Sequence, residues 1–230
     1  MSDHFDSRAL RQTDCYGQRF MKPGTYAYAI GHAGTASMAQ DHPFVVVVEG
    51  DSTKRGEMAQ TLVTVRAEGK AFVPDVEKVT VNAGDMVMWH CPDPHARPFA
   101  VSGEKDFFSS DRLVNESGYS HAFTCTGTYE WADAHGSGAK GVVRVAAPDS
   151  SSDQGIRAWQ SQQRQGVLVM VKDGQAEPAE VDVVLGQTVF FAVVAGPGIS
   201  ITDSAAIEAG RPVPGIAFYR KPTRGKDAVA

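Results

Sequence analysis

The sequence between residues 79 and 145 contains the clearest strand pattern of the chain. It opens with V-T-V-N-A-G-D-M-V-M-W (79–89), continues through P-D-P-H (92–95) and closes with G-T-Y-E-W-A-D-A-H-G-S-G-A-K-G-V-V-R-V (127–145). Its first and last parts alternate apolar and polar residues, as half-buried β-strands do. Gly84 and Asp85 mark a turn between two such strands. The stretch therefore predicts paired strands followed by a Gly-rich loop that carries a histidine.

The order and spacing of these segments resemble the cupredoxins, the plastocyanin-like copper proteins. The resemblance depends on G-D-x-V-x-W, a histidine after it, and G-T-Y-x-W. It implies an all-β fold of two cupredoxin-like Greek-key β-sandwiches. The chain departs from the family at two copper ligands, because Asp133 takes the place of the cysteine and Ala139 that of the methionine. The resemblance therefore implies a non-blue site, since blue copper needs the thiolate.

Three side chains form the predicted metal site. Alternation places Asp133 on the same side as Tyr129 and Trp131, and His135 follows two residues later. His95 lies where the resemblance places the first histidine ligand. Two imidazoles and a carboxylate suit Cu(II), and alternatively Fe(II) or Zn(II).

Further residues are expected at or around this site. Cys91 shares a face with Trp89 and is either a fourth ligand or a buried small hydrophobe. Trp131, Glu130 and His90 are expected around the ligands. His121, like His90, is expected at the surface or next to the site.

Two pairs of segments repeat within the chain. Residues 16–32 match residues 119–135 without a gap, and residues 63–89 match residues 167–191. The first piece supplies closing strands of a sandwich and the last piece supplies opening strands, so neither covers its apolar face alone. These matches predict a central domain over 61–147 and a second, degenerate domain built from 15–50 plus 166–222. The two ends pair either within one chain or across a homodimer.

Composition limits the partners and the location. The 230 residues have a net charge of -5 and no basic run, which argues against nucleic acid. No stretch has the length of a membrane span, and the N-terminus has no apolar signal core. With only Cys15, Cys91 and Cys125, the chain is expected to hold reduced thiols in the cytoplasm. The polar linkers are expected at 50–60 and 148–165, the second with a short helix around 156–163.

Three classes of function remain open. The first is a cytoplasmic copper-binding protein with a non-blue His₂-carboxylate site. The second is a mononuclear copper- or iron-dependent oxidoreductase that acts on a small molecule or oxygen at an open metal position. The third is a metal-free β-sandwich interaction module. The sequence has no G-x-S-x-G, H-E-x-x-H or C-x-x-C motif.

Overall fold

The computed structural model describes residues 3–50, 58–114 and 116–208, and within these ranges the chain is mostly β-sheet. The first half contains eight strands: β1 (Asp14–Arg19), β2 (Gly24–His32), β3 (Phe44–Glu49), β4 (Gln60–Glu68), β5 (Ala71–Pro74), β6 (Lys78–Asn82), β7 (Met86–His90) and β8 (Phe99–Gly103). The second half contains eight more: β9 (Ser117–Ala122), β10 (Gly127–Ala132), β11 (Lys140–Ala146), β12 (Val167–Lys172), β13 (Gln175–Glu177), β14 (Glu180–Val184), β15 (Thr188–Ala195) and β16 (Thr202–Asp203). The predicted all-β class is confirmed.

Two short α-helices accompany the strands. Helix α1 (Asp153–Gln163) lies in the predicted second linker and begins where the Ser152 hydroxyl accepts a hydrogen bond from Gly155 N. Helix α2 (Ser204–Glu208) follows β16. The first predicted linker includes residues 51–57, which lie outside the described part of the chain.

The strands form one large sheet and two small ones. The large sheet has the order β13-β12-β15-β9-β1-β7-β4-β5, and the small ones have the orders β14-β11-β10-β16 and β6-β3-β2-β8. Each small sheet packs against its own half of the large sheet. Tyr28 of β2 contacts Trp89 of β7, and Trp131 of β10 contacts Phe191 of β15, with ring centroids 5.3 Å apart in both pairs. The buried side chains of both halves form one continuous core.

The first eight strands and the last eight have the same pattern of parallel pairing. In the first half β3 pairs in parallel with β6, and β4 with β7. In the second half β11 pairs in parallel with β14, and β12 with β15. The chain is therefore a tandem repeat of one eight-strand unit.

This pairing corrects the predicted domain boundaries. The prediction grouped 61–147 as one domain and 15–50 plus 166–222 as the other. Instead β2 and β3 pair with β8 and β6, so the N-terminal strands find their partners in the first half. Within the described residues, strands of the two predicted end fragments, 15–50 and 166–222, share only the large sheet, where β9 separates β1 from β15. The repeat was identified correctly, but two similar copies of a strand do not reveal which of them pairs with a given neighbour. Residues 209–222 lie outside the described part of the chain.

The halves meet where β1 pairs antiparallel with β9, and we call this pair of strands the seam. Tyr16 and Tyr119, which are equivalent in the repeat, lie directly opposite each other there. An antiparallel pairing of equivalent residues requires a local two-fold axis, as in an isologous dimer. The two halves are thus related like the subunits of a fused homodimer.

The segments before β1 and β9 cross to the opposite half. Their sequences, F-D-S-R-A-L (5–10) and F-S-S-D-R-L (108–113), are a third repeat that the sequence analysis missed. Phe5 packs on Phe123 of the second half, and Phe108 packs on Trp89 of the first. The crossings match in their hydrogen bonds, since Ser7 N donates to Ile201 O and Ser110 N donates to Val101 O. We call these two segments the exchanged arms.

One part of the predicted alignment is shifted. Val63 pairs with Trp89, whereas the residue that pairs with Phe191 is Val169. Val63 therefore corresponds to Val169, and the predicted match to Val167 is wrong by two residues. A shift of two residues leaves the same face of a strand buried, so the alternation pattern does not detect it.

Candidate functional site

The predicted ligands fall in different halves of the molecule. His95 is exposed in the loop after β7 of the first half, whereas Asp133 and His135 lie in the loop between β10 and β11 of the second. Among residues 3–50, 58–114 and 116–208, no group of three or more His, Cys, Asp or Glu side chains is placed to hold a metal ion. The predicted ligand set is therefore not assembled in the described part of the chain.

Asp133 points inward, as the alternation predicts, but its carboxylate anchors its own loop. Oδ1 accepts hydrogen bonds from His135 N at 3.0 Å and from Ser200 N at 2.8 Å, and Oδ2 accepts one from Ser137 N at 2.8 Å. Burial acts to raise the pKa of Asp133, but these backbone N–H groups outweigh it and lower the pKa. The ionised carboxylate therefore ties β10 to the residues before β16.

The other predicted site residues lie in different environments. The His135 ring donates from Nε2 to the carbonyl oxygen of Asp111 at 3.0 Å. Cys91 is fully buried, and burial raises the pKa of its thiol, which disfavours the thiolate that a metal needs. Trp131 is buried in the core, and Glu130 is exposed on the opposite face. The His90 ring lies 3.4 Å from the Thr64 hydroxyl.

A buried polar cluster at the seam was not predicted. Asp14 Oδ1 accepts hydrogen bonds from the Tyr119 hydroxyl at 2.5 Å and from His121 Nδ1 at 2.7 Å. Burial, together with the Asp14 charge, raises the pKa of Tyr119 well above its ordinary value. His121 Nε2 has no hydrogen-bond partner among the described groups, and the Phe5 and Phe123 rings pack against the imidazole. The cluster joins the halves and is closed to substrate.

The expectation that His121 lies at the surface or beside the metal site is wrong. His121 alternates with Tyr119 and Phe123, so all three face inward. The same alternation is present in the sequence and could have indicated that His121 is buried. The partner Asp14 is 107 residues away and could not be identified from a local pattern.

An open cleft of about 550 Å³ lies at one end of the seam, and we call it the seam cleft. Its aromatic walls are Tyr26 and Phe107, whose ring centroids are 4.8 Å apart; Phe107 is 53% exposed. Two cations line it, Arg19 and Lys22. Arg19 is held in place because Nε donates to Gly84 O at 2.8 Å and Nη1 to the Glu116 carboxylate at 3.3 Å. The cleft thus combines an apolar wall with an exposed lysine and the Arg19–Glu116 ion pair.

The outer face of the large sheet is also apolar. Leu62 and Leu168 are more than half exposed on this face. At its centre Gly17 and Gly118 lie opposite each other across the seam. A methyl group on Gly118 would come within 2.4 Å of the Phe190 ring, so the missing side chain leaves room for that ring.

Comparison with protein-family models, with curated proteins and with solved structures gives no match to this chain. None of the helices in the described residues is long and apolar enough to cross a membrane. The cupredoxin resemblance therefore remains a prediction from the sequence.

Proposed function

We propose that the protein is a metal-free β-sandwich binding module that takes a small molecule in the seam cleft. One observation supports this proposal above others: the Asp133 carboxylate and the buried cluster at the seam are engaged in folding, whereas the cleft presents unused surface. Asp133 accepts hydrogen bonds from its own loop, and the Asp14–Tyr119–His121 cluster is buried. Tyr26, Phe107 and Lys22 line open space instead.

The copper, iron and zinc alternatives do not fit these residues. A metal at Asp133 would have to displace backbone hydrogen bonds from three residues, His135, Ser137 and Ser200. It would also have to draw His95 from the other half. The oxidoreductase alternative needs the same ligands, so it loses the same support. The proposal retains the third predicted class, the metal-free interaction module, and assigns it a binding site in the seam cleft.

We retain the cupredoxin-like Greek-key sandwich as a proposal for each half. The G-D-x-V-x-W residues form the turn after β6 and most of β7, and the G-T-Y-x-W residues lie in β10. The departures at Asp133 and Ala139 agree with a sandwich that works without a metal. The three free cysteines support the proposed cytoplasmic location.

Amide NMR with a neutral aromatic probe tests the binding site. Titration with benzyl alcohol is expected to shift the Tyr26 and Phe107 amides and to saturate. The amides around His95 and His135 are the internal control and should not move. Shifts confined to those two loops, or no saturable shift at the cleft with either a neutral or a charged aromatic probe, would contradict the proposal.

A further inference from the structure

Two turns, one in each half, share the same backbone geometry. The first turn comprises residues 20–24 and the second turn residues 123–127. Gly24 and Gly127, at their ends, have φ angles of 156° and 155°. The Tyr26 hydroxyl donates to Lys22 O at 2.8 Å, and the Tyr129 hydroxyl donates to Cys125 O at 2.9 Å. The backbone amides of the two turns are therefore presented in the same arrangement.

The second turn binds a carboxylate. Thr124 N and Cys125 N both donate to Asp3 Oδ2, at 2.6 and 2.8 Å, and the Thr124 hydroxyl donates to Asp3 Oδ1 at 2.5 Å. Successive backbone N–H groups of this kind form an anion-binding site. Asp3 comes from the start of the chain, just before an exchanged arm, so the molecule occupies this site with its own side chain.

In the part of the chain that the structure describes, no side chain occupies the same amide pair of the first turn. Met21 and Lys22 correspond to Thr124 and Cys125 and line the seam cleft. Within the described residues, neither the Met21 nor the Lys22 amide donates a hydrogen bond. Lys22 adds an exposed ammonium group where the second half has Cys125, whereas the Arg19 guanidinium is paired with the Glu116 carboxylate. The positive charge added beside the amide pair of the first half is therefore that of Lys22.

We propose that the first turn binds the carboxylate of a small aromatic acid, as the second turn binds the carboxylate of Asp3. The acid's carboxylate accepts from the Met21 and Lys22 amides and lies beside the Lys22 ammonium. Its ring packs on Tyr26 and Phe107, which form the apolar wall of the cleft. This inference rests on the proposed function and names its ligand class.

Phenylacetate is the probe, and its binding to the full chain is measured by isothermal titration calorimetry and amide NMR. We expect saturable 1:1 binding that shifts the Met21 and Lys22 amides. Lys22→Gln should weaken binding by about tenfold, because a charge-assisted contact is lost. Phe107→Ala should weaken it several-fold. Lys172→Gln, an exposed lysine outside the cleft, should bind like the wild type. The affinities of the wild type and the three variants are compared at one salt concentration, because salt screens the charge of Lys22.

Benzylamine and benzyl alcohol separate the two proposals, because they keep the ring and change the charged group. If they bind the cleft as tightly as phenylacetate, the carboxylate inference fails and the binding module stands. If none of the three probes shifts the cleft amides, both proposals fail. Equal affinity in Lys22→Gln would also overturn the inference.

Asp106 provides the remaining control. It is the sequence counterpart of Asp3, at the same 103-residue offset, and its side chain lies outside the described part of the structure. If the first turn takes an external acid, Asp106→Asn should leave phenylacetate binding within about twofold. Binding that appears only in Asp106→Asn would show that the chain fills this turn itself, and the inference would be overturned.

Discussion

The Asp133 carboxylate was predicted to be a metal ligand, and in the structure it anchors its own loop. The alternation of Tyr129, Trp131 and Asp133 correctly predicts that all three face inward. The use of the carboxylate could not be predicted, because Ser200 is 67 residues away in sequence. A local pattern gives the direction of a side chain, whereas its partners depend on the long-range pairing of strands.

Replacing Asp133 by Asn tests this anchoring role. The substitution keeps the shape but removes the charge that several N–H groups share, so we expect a loss of about 2–3 kcal/mol at neutral pH. Urea unfolding measures the loss, with the exposed Glu68→Gln as the control. A loss below about 0.5 kcal/mol would contradict the anchoring role.

The pH dependence of the same anchor has a defined sign. The pKa of Asp133 is lower in the folded than in the unfolded chain, so its contribution is complete above the unfolded value of about 3.9. That contribution is lost as the pH falls through the lowered folded value. The difference in unfolding free energy between wild type and Asp133→Asn should therefore shrink in acid. A difference that grows below pH 4 would contradict this assignment.

At the scale of elements, the strands were predictable and their pairing was not. Alternation locates β7 and β10, and the repeat locates β2 and β15. The parallel pairs β3–β6 and β11–β14 join segments about 30 residues or more apart. Because the repeat copies are similar, a local pattern does not show which copy of a strand pairs with which partner. The exchanged arms were missed because Phe5 and Phe108 lie in short polar segments without strand periodicity.

The two glycines at the centre of the large sheet allow a matched comparison. Gly118→Ala should destabilise the protein by about 1–3 kcal/mol, because the added methyl meets the Phe190 ring. Gly17→Ala should cost less, since its nearest neighbour is the flexible Met86 side chain at 3.1 Å. In a Phe190→Ala background the Gly118→Ala cost should almost vanish. Equal costs in both backgrounds would show that Phe190 is not the obstacle.

At the scale of the whole molecule, the halves are held together by the seam, the buried cluster and the exchanged arms. Each arm places a phenylalanine in the core of the other half, so neither half has a complete core alone. This arrangement predicts that the two halves unfold together rather than one after the other.

Phe108 and its neighbour Phe107 test that coupling. Phe108 is fully buried, and Phe108→Ala should cost about 3–4 kcal/mol through the lost burial and the cavity left in the first half. Phe107 is half exposed, and Phe107→Ala should cost less than about 1 kcal/mol. Thermal unfolding of Phe108→Ala should remain a single transition. Two separate transitions would contradict the coupling of the halves.

Elemental analysis of the full chain, purified without chelator and then equilibrated with equimolar Cu(II) and desalted, tests the central claim of a metal-free module. We expect substoichiometric copper, with the same content in wild type and in the double variant His95→Ala, His135→Ala. One copper per chain in the wild type that is lost in the double variant would show that these histidines form a metal site, and would contradict the claim.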